Sequence, residues 1–202
     1  MSSGLASRQE MLEAQQAENE RILGSLMPAP VAKRYRGGET DISDEHHNVS
    51  VAFTDVEGFD EAAVKAGIEK VRSDGTSYVA SSGLVVQRVD HVRRVVDFTA
   101  DVAAMVERFN SQHGASLIMR AGVDSGEVRS GLVGGGDVVY NLWGDAVNLA
   151  HRVRTTVGDA GIYVTDVVKE RLDGAYAFEQ VGTVMIDASE KPVWRLLIEA
   201  KG

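Results

Sequence analysis

The longest periodic pattern in the chain lies over residues 87–110, where Val89, Val92, Val96, Ala103, Val106 and Phe109 recur at helical spacing with Arg93, Arg94 and Asp97 off the stripe. That pattern predicts one amphipathic helix. Strand patterns surround it. Val49, Val51 and Phe53 alternate with Ser50, Ala52 and Thr54, so 49–56 reads as a half-buried strand. Residues 116–124 and 127–133 read as two strands joined through Ser125 and Gly126, and 138–142 as a further strand. A second helix is expected over 145–155, a short strand over 162–164, and a helix over 166–172 with Thr165 as its N-cap. Residues 70–83 read as a hairpin turning near Asp74 and Gly75, and 178–186 with 193–198 as a closing hairpin. Helices mixed with hairpins predict an α+β domain with an antiparallel-rich sheet.

Ahead of this domain, residues 8–27 hold no glycine until Gly24 and are rich in good helix formers. Met11, Leu12, Ala14, Ile22, Leu23 and Leu26 supply apolar positions on either side of a polar stretch at 15–20. An isolated helix of that length is marginal in water, so a partner helix is the expectation and a solvated extension the alternative. Pro28 and Pro30 end the helix, and 31–36 allows one short helical piece before Gly37 and Gly38. The expected organisation is a helix and linker over 1–47 and a folded domain over 48–202.

Composition narrows the functional classes. With 202 residues, 44% of them apolar and 25% charged, the chain has the make-up of one globular domain with an appendage. No stretch approaches eighteen consecutive apolar residues, and the opening MSSGLASRQE has no hydrophobic signal core. The absence of cysteine excludes disulfides and thiolate metal sites and fits a reducing cytoplasm. A net charge of -9 argues against a nucleic-acid partner, which needs a basic face, but a single nucleotide needs only a few local donors. His46, His47, His91, His113 and His151 show no zinc spacing, and Gly134 to Gly136 lack the G-K-[ST] of a phosphate-binding loop and read as a turn.

Three stretches carry a specific resemblance. Residues 140–152, YNLWGDAVNLAHR, resemble the Y-D-x-W-G-x-x-V-N-x-A-x-R signature of class III nucleotidyl cyclases. Residues 51–59, VAFTDVEGF, are similar to that family's strand and loop carrying a metal-binding aspartate. Residues 21–39, RILGSLMPAPVAKRYRGGE, look like the linker leading into cyclase domains attached to signalling modules. MRAGVDSGEVRSGLVG at 119–134 and the C-terminal FEQVGTVMIDASEKPVWRLL add support in the correct order. The resemblance implies a ferredoxin-like α+β sandwich that dimerises with active sites at the interface. It also implies formation of a 3′,5′-cyclic nucleotide and pyrophosphate from ATP or another nucleoside triphosphate, with Mg²⁺ or Mn²⁺ as cofactor.

Carried over position by position, the resemblance assigns Asp55 to a metal ion, with an ordinary turn carboxylate as the alternative. Gly58 and Phe59 fall in the substrate-binding loop. Asn148 and Arg152 match the pair that orients the ribose and stabilises the transition state; four apart on a helix, they share one face. Other positions depart from the pattern. Thr76 stands where the family has its second metal aspartate, and a neutral hydroxyl is a poor ligand for Mg²⁺; Asp74, two residues earlier, is the alternative donor. Arg72 and Asn141 replace the lysine and aspartate that read the base. Asp187 stands near the place of a triphosphate-binding lysine, where a negative charge repels substrate. The segment after Phe59 is also short by about thirty residues, two helices at ordinary lengths, with the join near residues 59–60; a natural deletion and a shortened sequence are the alternatives.

Two functions follow from this reading: a cyclase of low activity or altered base preference, or a regulatory pseudocyclase that dimerises and binds nucleotide. The partner is a second cyclase domain, identical or different, and the domain is expected to be cytoplasmic, attached to an upstream sensor or membrane module.

Overall fold

The computed structural model describes residues 3–58, 77–134, 139–186 and 188–198. Helices α1 (Ser3–Leu26) and α2 (Ala29–Arg36) come first. Strands β1 (Ser43–Glu57) and β2 (Ser77–Ser82) precede the long helix α3 (His91–His113). Then come β3 (Ile118–Val133), β4 (Val139–Trp143), α4 (Asp145–Thr156), β5 (Gly161–Val164), α5 (Asp166–Arg171), β6 (Ala177–Ile186) and β7 (Ser189–Leu197). Among the described residues seven strands form one sheet in the order β2-β1-β3-β5-β7-β6, with β4 paired to β3. β1/β2, β5/β7 and β6/β7 are antiparallel, whereas β3/β5 is parallel. The expected α+β class with an antiparallel-rich sheet and an N-terminal helix is therefore observed. No helix among the described residues is long and apolar enough to cross a membrane.

The chain divides into two compact units, residues 1–45 with 129–142, and residues 46–128 with 143–202. In the first, Met27, Val31, Ala32 and Ile42 are buried together with Leu23, Tyr35, Leu132 and Tyr140 packed around them. Arg34 spans Glu39 and Asp44 at 2.6 Å each, tying the end of α2 to the approach of β1. Most of α1 is exposed, including Met11 and Leu12.

In the second unit the sheet separates two apolar layers. β5 shows the division residue by residue. Ile162 and Val164 join the cluster of Val92, Val95 and Val96 from α3 and Val168 from α5, while Tyr163 between them joins Val153 from α4 with Val184 and Val193. Alternation along a strand requires this, since successive side chains point to opposite faces. Hence α3 and α5 cover one face and α4 the other.

Several predicted elements shift. The long helix begins at His91, not Gln87, and Val89 is fully exposed before it. Asp90 takes up the guanidiniums of Arg88 and Arg94 at 3.0 and 2.7 Å, which fixes the entry of the helix there and holds its carboxyl below the usual range. Residues 118–133 form one continuous strand rather than two. Ser125 is buried and Gly126 faces Ala146 of α4, so tertiary packing holds extended two residues that read locally as a turn. β1 starts at Ser43, its polar first half carrying the pairs Glu45–Arg129 and His47–Glu127 in place of apolar alternation. Thr165 precedes α5 with extended backbone but makes no side-chain cap; its hydroxyl donates instead to the buried Asp124 at 2.6 Å. Of the hairpin expected over 70–83, the strand Ser77–Ser82 is described and the turn lies outside the described residues, as do residues 135–138 of the glycine-rich turn.

Candidate functional site

Asp55 lies near the end of β1, two residues beyond Phe53 and so on the same face of the sheet. That face carries α4. The His151 ring meets Phe53 edge to face at 4.8 Å, and the Arg154 guanidinium lies over the same ring at 4.8 Å. Arg154 Nη1 is 3.3 Å from Asp55 Oδ2, with both side chains largely shielded from solvent. Ser77, directly across the β1/β2 ladder, donates its hydroxyl to Asp55 Oδ1 at 3.1 Å. Asp55 is thus held between a hydroxyl from the neighbouring strand and a cation from the overlying helix.

A glycine makes that overlay close. A Cβ built on Gly122 of β3 would lie 1.9 Å from the carbonyl oxygen of Ala150 and 2.7 Å from the amide nitrogen of Arg154. Only a residue without a side chain lets the α4 backbone rest on the strand at this point. Ala146, Ala150 and Val153 bury the inner stripe of α4, leaving Asn148 and Arg152 exposed on the other side of the helix. Arg152 Nη1 donates to the carbonyl of Met185 on β6 at 2.8 Å, which fixes the arginine stem. Gly58 ends β1 with φ 82, and a Cβ there would meet the Ser116 carbonyl at 3.1 Å, so glycine is required for the turn.

Asn141, in the other unit, is exposed on β4; its side-chain oxygen accepts the amide of Leu142 at 2.8 Å. That leaves the side-chain amide as a donor. Phe59, Arg72, Asp74, Thr76 and Asp187 lie outside the described residues. Among the sequence-predicted residues, the structure therefore brings Asp55 beneath the helix that presents Asn148 and Arg152.

The described residues do not make a metal centre. No three His, Asp or Glu side chains among them converge to hold an ion, and the carboxylate in place, Asp55, already faces a guanidinium. Arg154, His151 and Ser77 were missed by the sequence reading. The cue for Arg154 was its spacing: four residues after the buried Ala150, it continues the inner stripe of α4, where a cation needs a partner.

Two buried ionisable groups serve the scaffold. His91 is enclosed between Ser50 Oγ at 2.9 Å from Nδ1 and an Arg171 nitrogen at 3.0 Å from Nε2. Arginine only donates, so Nε2 accepts and Nδ1 carries the proton that goes to Ser50. Burial, and then the Arg171 charge, hold the His91 pKa below its ordinary value. Burial pushes the Asp124 carboxyl up, against the opposing hydrogen bonds from Thr165 and the Ser125 amide.

A family model for the adenylate and guanylate cyclase catalytic domain matches residues 56–198. An adenylate cyclase of Mycobacterium tuberculosis (strain H37Rv) is 29% identical over 205 residues, covering 90% of this chain and 46% of its own length. The chain spans about half the length of such curated relatives. The guanylate cyclase domain of a rhodopsin-guanylyl cyclase from Catenaria anguillulae, solved in complex with GTP, superposes with a TM-score of 0.63 at 24% identity, over 76% of this chain and 98% of that one. A bacterial light-regulated adenylyl cyclase superposes with a TM-score of 0.65 at 18% identity, over 94% of this chain and 64% of that one. These two likenesses concern the fold. The sequence match begins one residue after Asp55 and runs just past β7. With most of its length matched in this way, the chain belongs to the adenylate and guanylate cyclase catalytic domain family.

Proposed function

We propose that this domain forms a 3′,5′-cyclic nucleotide from a nucleoside triphosphate, with low activity or altered base preference. The observation that carries the reading is the side-by-side exposure of Asn148 and Arg152 on α4, one turn apart on a helix seated on the sheet. In this reaction the ribose 3′-oxygen attacks the α-phosphorus and loses its proton to solvent. The bond to the bridging oxygen breaks, and pyrophosphate leaves. Negative charge develops on the phosphoryl oxygens, where a fixed guanidinium acts best. Arg152 suits that role because its contact with the Met185 carbonyl engages one nitrogen and holds the stem. Asn148, with a donor and an acceptor, suits the ribose.

Altered base preference follows from Arg72 and Asn141. Arginine offers donors only, and the Asn141 oxygen is taken by the Leu142 amide, so both positions favour acceptors on the base. The partner in this reading is a second cyclase domain, identical or different. Mg²⁺ or Mn²⁺ is the expected cofactor, residues 1–47 form a signalling helix and linker from an upstream module, and the location is cytoplasmic. The family match and the two structural neighbours support the cyclase frame of this reading.

A second reading has its own observation. Asp55 paired to Arg154 favours a regulatory module without turnover, built on residues 48–202. The assay that separates the two uses the purified chain with Mn²⁺ and each of ATP, GTP, CTP and UTP, scored for cyclic product. Turnover that vanishes in Asp55→Ala supports the enzyme. No product from the native chain, with activity after Thr76→Asp, Arg72→Lys and Asn141→Asp together, supports the regulatory module. Inactivity of that triple variant would point to Asp187 or to the shortened segment after Phe59.

A further inference from the structure

At 3.6 residues per turn, four side chains of α4 follow one another round the helix in the order Arg154, His151, Asn148 and Arg152, each three or four positions from the next. Arg154 stands where this row meets the sheet, and the other three are exposed. His151 is exposed yet fixed. Its ring meets Phe53 at 4.8 Å with the two planes at 87°, and its Nε2 lies 3.2 Å from an Arg154 nitrogen. Arg154 is itself anchored, with its guanidinium carbon 4.8 Å from the centroid of the Phe53 ring. The contact settles the tautomer. A guanidinium only donates, so Nε2 accepts and the ring proton sits on Nδ1. The two nitrogens of an imidazole point in nearly opposite directions, so this N–H is turned away from Arg154. Among the described residues no group accepts it.

We propose that His151 is a third substrate-binding residue of α4, whose Nδ1–H donates to a phosphoryl oxygen of the triphosphate held by Asn148 and Arg152. The inference rests on the reading of those two residues as substrate-facing, and adds a phosphate contact beside them. A fixed N–H suits an oxygen that only accepts. Phosphoryl oxygens are of that kind, whereas ribose hydroxyls also present hydrogens. Hydrogen bonds to an ionised acceptor are the strong ones, and the Arg154 nitrogen donating to Nε2 polarises the ring and strengthens the donor on its other side. His151 and Arg152 are consecutive, so they stand on either flank of Asn148, one turn further along the helix. Helical side chains lean toward the N-terminus, which brings both donors toward Asn148. An anion lying there is gripped from two sides, by a cation and by a neutral donor whose tautomer Arg154 sets.

The test is calorimetric titration of the full chain with inorganic triphosphate, which carries neither ribose nor base. Asparagine places a donor near the Nδ1 position of histidine, and glutamine near the Nε2 position. His151→Phe keeps a ring against Phe53 and should weaken binding about tenfold. His151→Gln should weaken it as much, and His151→Asn should stay within about twofold of the native chain. Equal affinity of the native and His151→Phe chains would overturn the proposal, as would a loss in His151→Asn as large as that in His151→Phe. Arg152→Ala separates the proposal from the reading beneath it. A loss in Arg152→Ala without one in His151→Phe leaves that reading standing and sinks the proposal. The reverse supports the histidine contact and removes Arg152 from the phosphate. A native chain that binds neither triphosphate nor ATP overturns both. A second measurement needs no variant: ¹⁵N NMR of the ring should find the proton on Nδ1, and the Nδ1 resonance should move in step with triphosphate occupancy. A proton on Nε2, or an Nδ1 resonance unmoved at saturation, overturns the inference.

Discussion

Gly122 of β3 lies directly under Ala150 of α4, so close that a side-chain carbon at 122 would stand 1.9 Å from the Ala150 carbonyl oxygen. The obstacle is backbone, which no rotamer change can remove. Gly122→Ala therefore has to lift α4 from the sheet. Overpacking of this kind costs about 3 kcal/mol, which lowers Tm by roughly 6–12 °C at this chain length. Calorimetry of the variant against the native chain measures it, and an unchanged Tm would contradict the packing described.

Asn148 and Arg152 are exposed, so their removal should separate function from stability. Arg152→Ala is expected to reduce kcat by about 10²–10³-fold, with stability within about 0.5 kcal/mol of the native chain. Loss of its hydrogen bond to the Met185 carbonyl is the structural cost included in that figure. A fall in activity accompanied by a large drop in Tm would assign Arg152 to the scaffold instead. Cyclic-product assays alongside thermal melts distinguish the outcomes.

His91 makes stability depend on pH in a defined direction. Its folded pKa lies below the ordinary 6.5, because burial and Arg171 oppose the charged ring. As pH falls below about 6.5 the unfolded chain takes up a proton first, so stability declines down to the folded pKa and is complete above the ordinary value. The slope from this group is at most about 1.4 kcal/mol per pH unit. Urea denaturation between pH 7.5 and 5 should show a steeper decline for the native chain than for His91→Gln. Parallel curves would remove His91 as the cause.

Thr165 gives a local test of the buried Asp124. Thr165→Val keeps the shape and deletes the hydroxyl that donates at 2.6 Å, leaving the carboxylate with less support in a buried position. The expected cost is about 1–3 kcal/mol at neutral pH. The Thr165 hydroxyl opposes the upward push of burial on the Asp124 carboxyl, so its loss raises the folded pKa further; the penalty is full above the variant's folded pKa and is lost as pH falls through it and the carboxyl becomes neutral. Thr165→Ser, which keeps the hydroxyl, should lie close to native. Denaturant midpoints for the two variants decide it.

Much of the fold was legible because its signals are local. Alternation at Val49 to Phe53 foretold β1, the Val92 and Val96 stripe foretold α3, and the run from Tyr140 to Arg152 pointed to Asn148 and Arg152 through motif and helical spacing. Asp55 followed from a strand that ends in a carboxylate within a family-like motif. For residues such as these, chain geometry alone says which side chains share a face.

What the sequence could not decide depended on partners far along the chain. Ser125 and Gly126 carry turn propensity, yet the packing of Ala146 against Gly126 keeps β3 extended through them. Thr165 has the identity of an N-cap, but Asp124, 41 residues away, accepts its hydroxyl. Arg154 acquires its role only because the sheet places Phe53 and Asp55 beneath it. By itself the sequence determined the class of most elements, the family and the shared helical face of Asn148 and Arg152, since periodicity and motif act over a few residues. Only the tertiary structure decided which cation faces Asp55, because that contact joins a strand and a helix about a hundred residues apart, through a gap that exists because position 122 has no side chain.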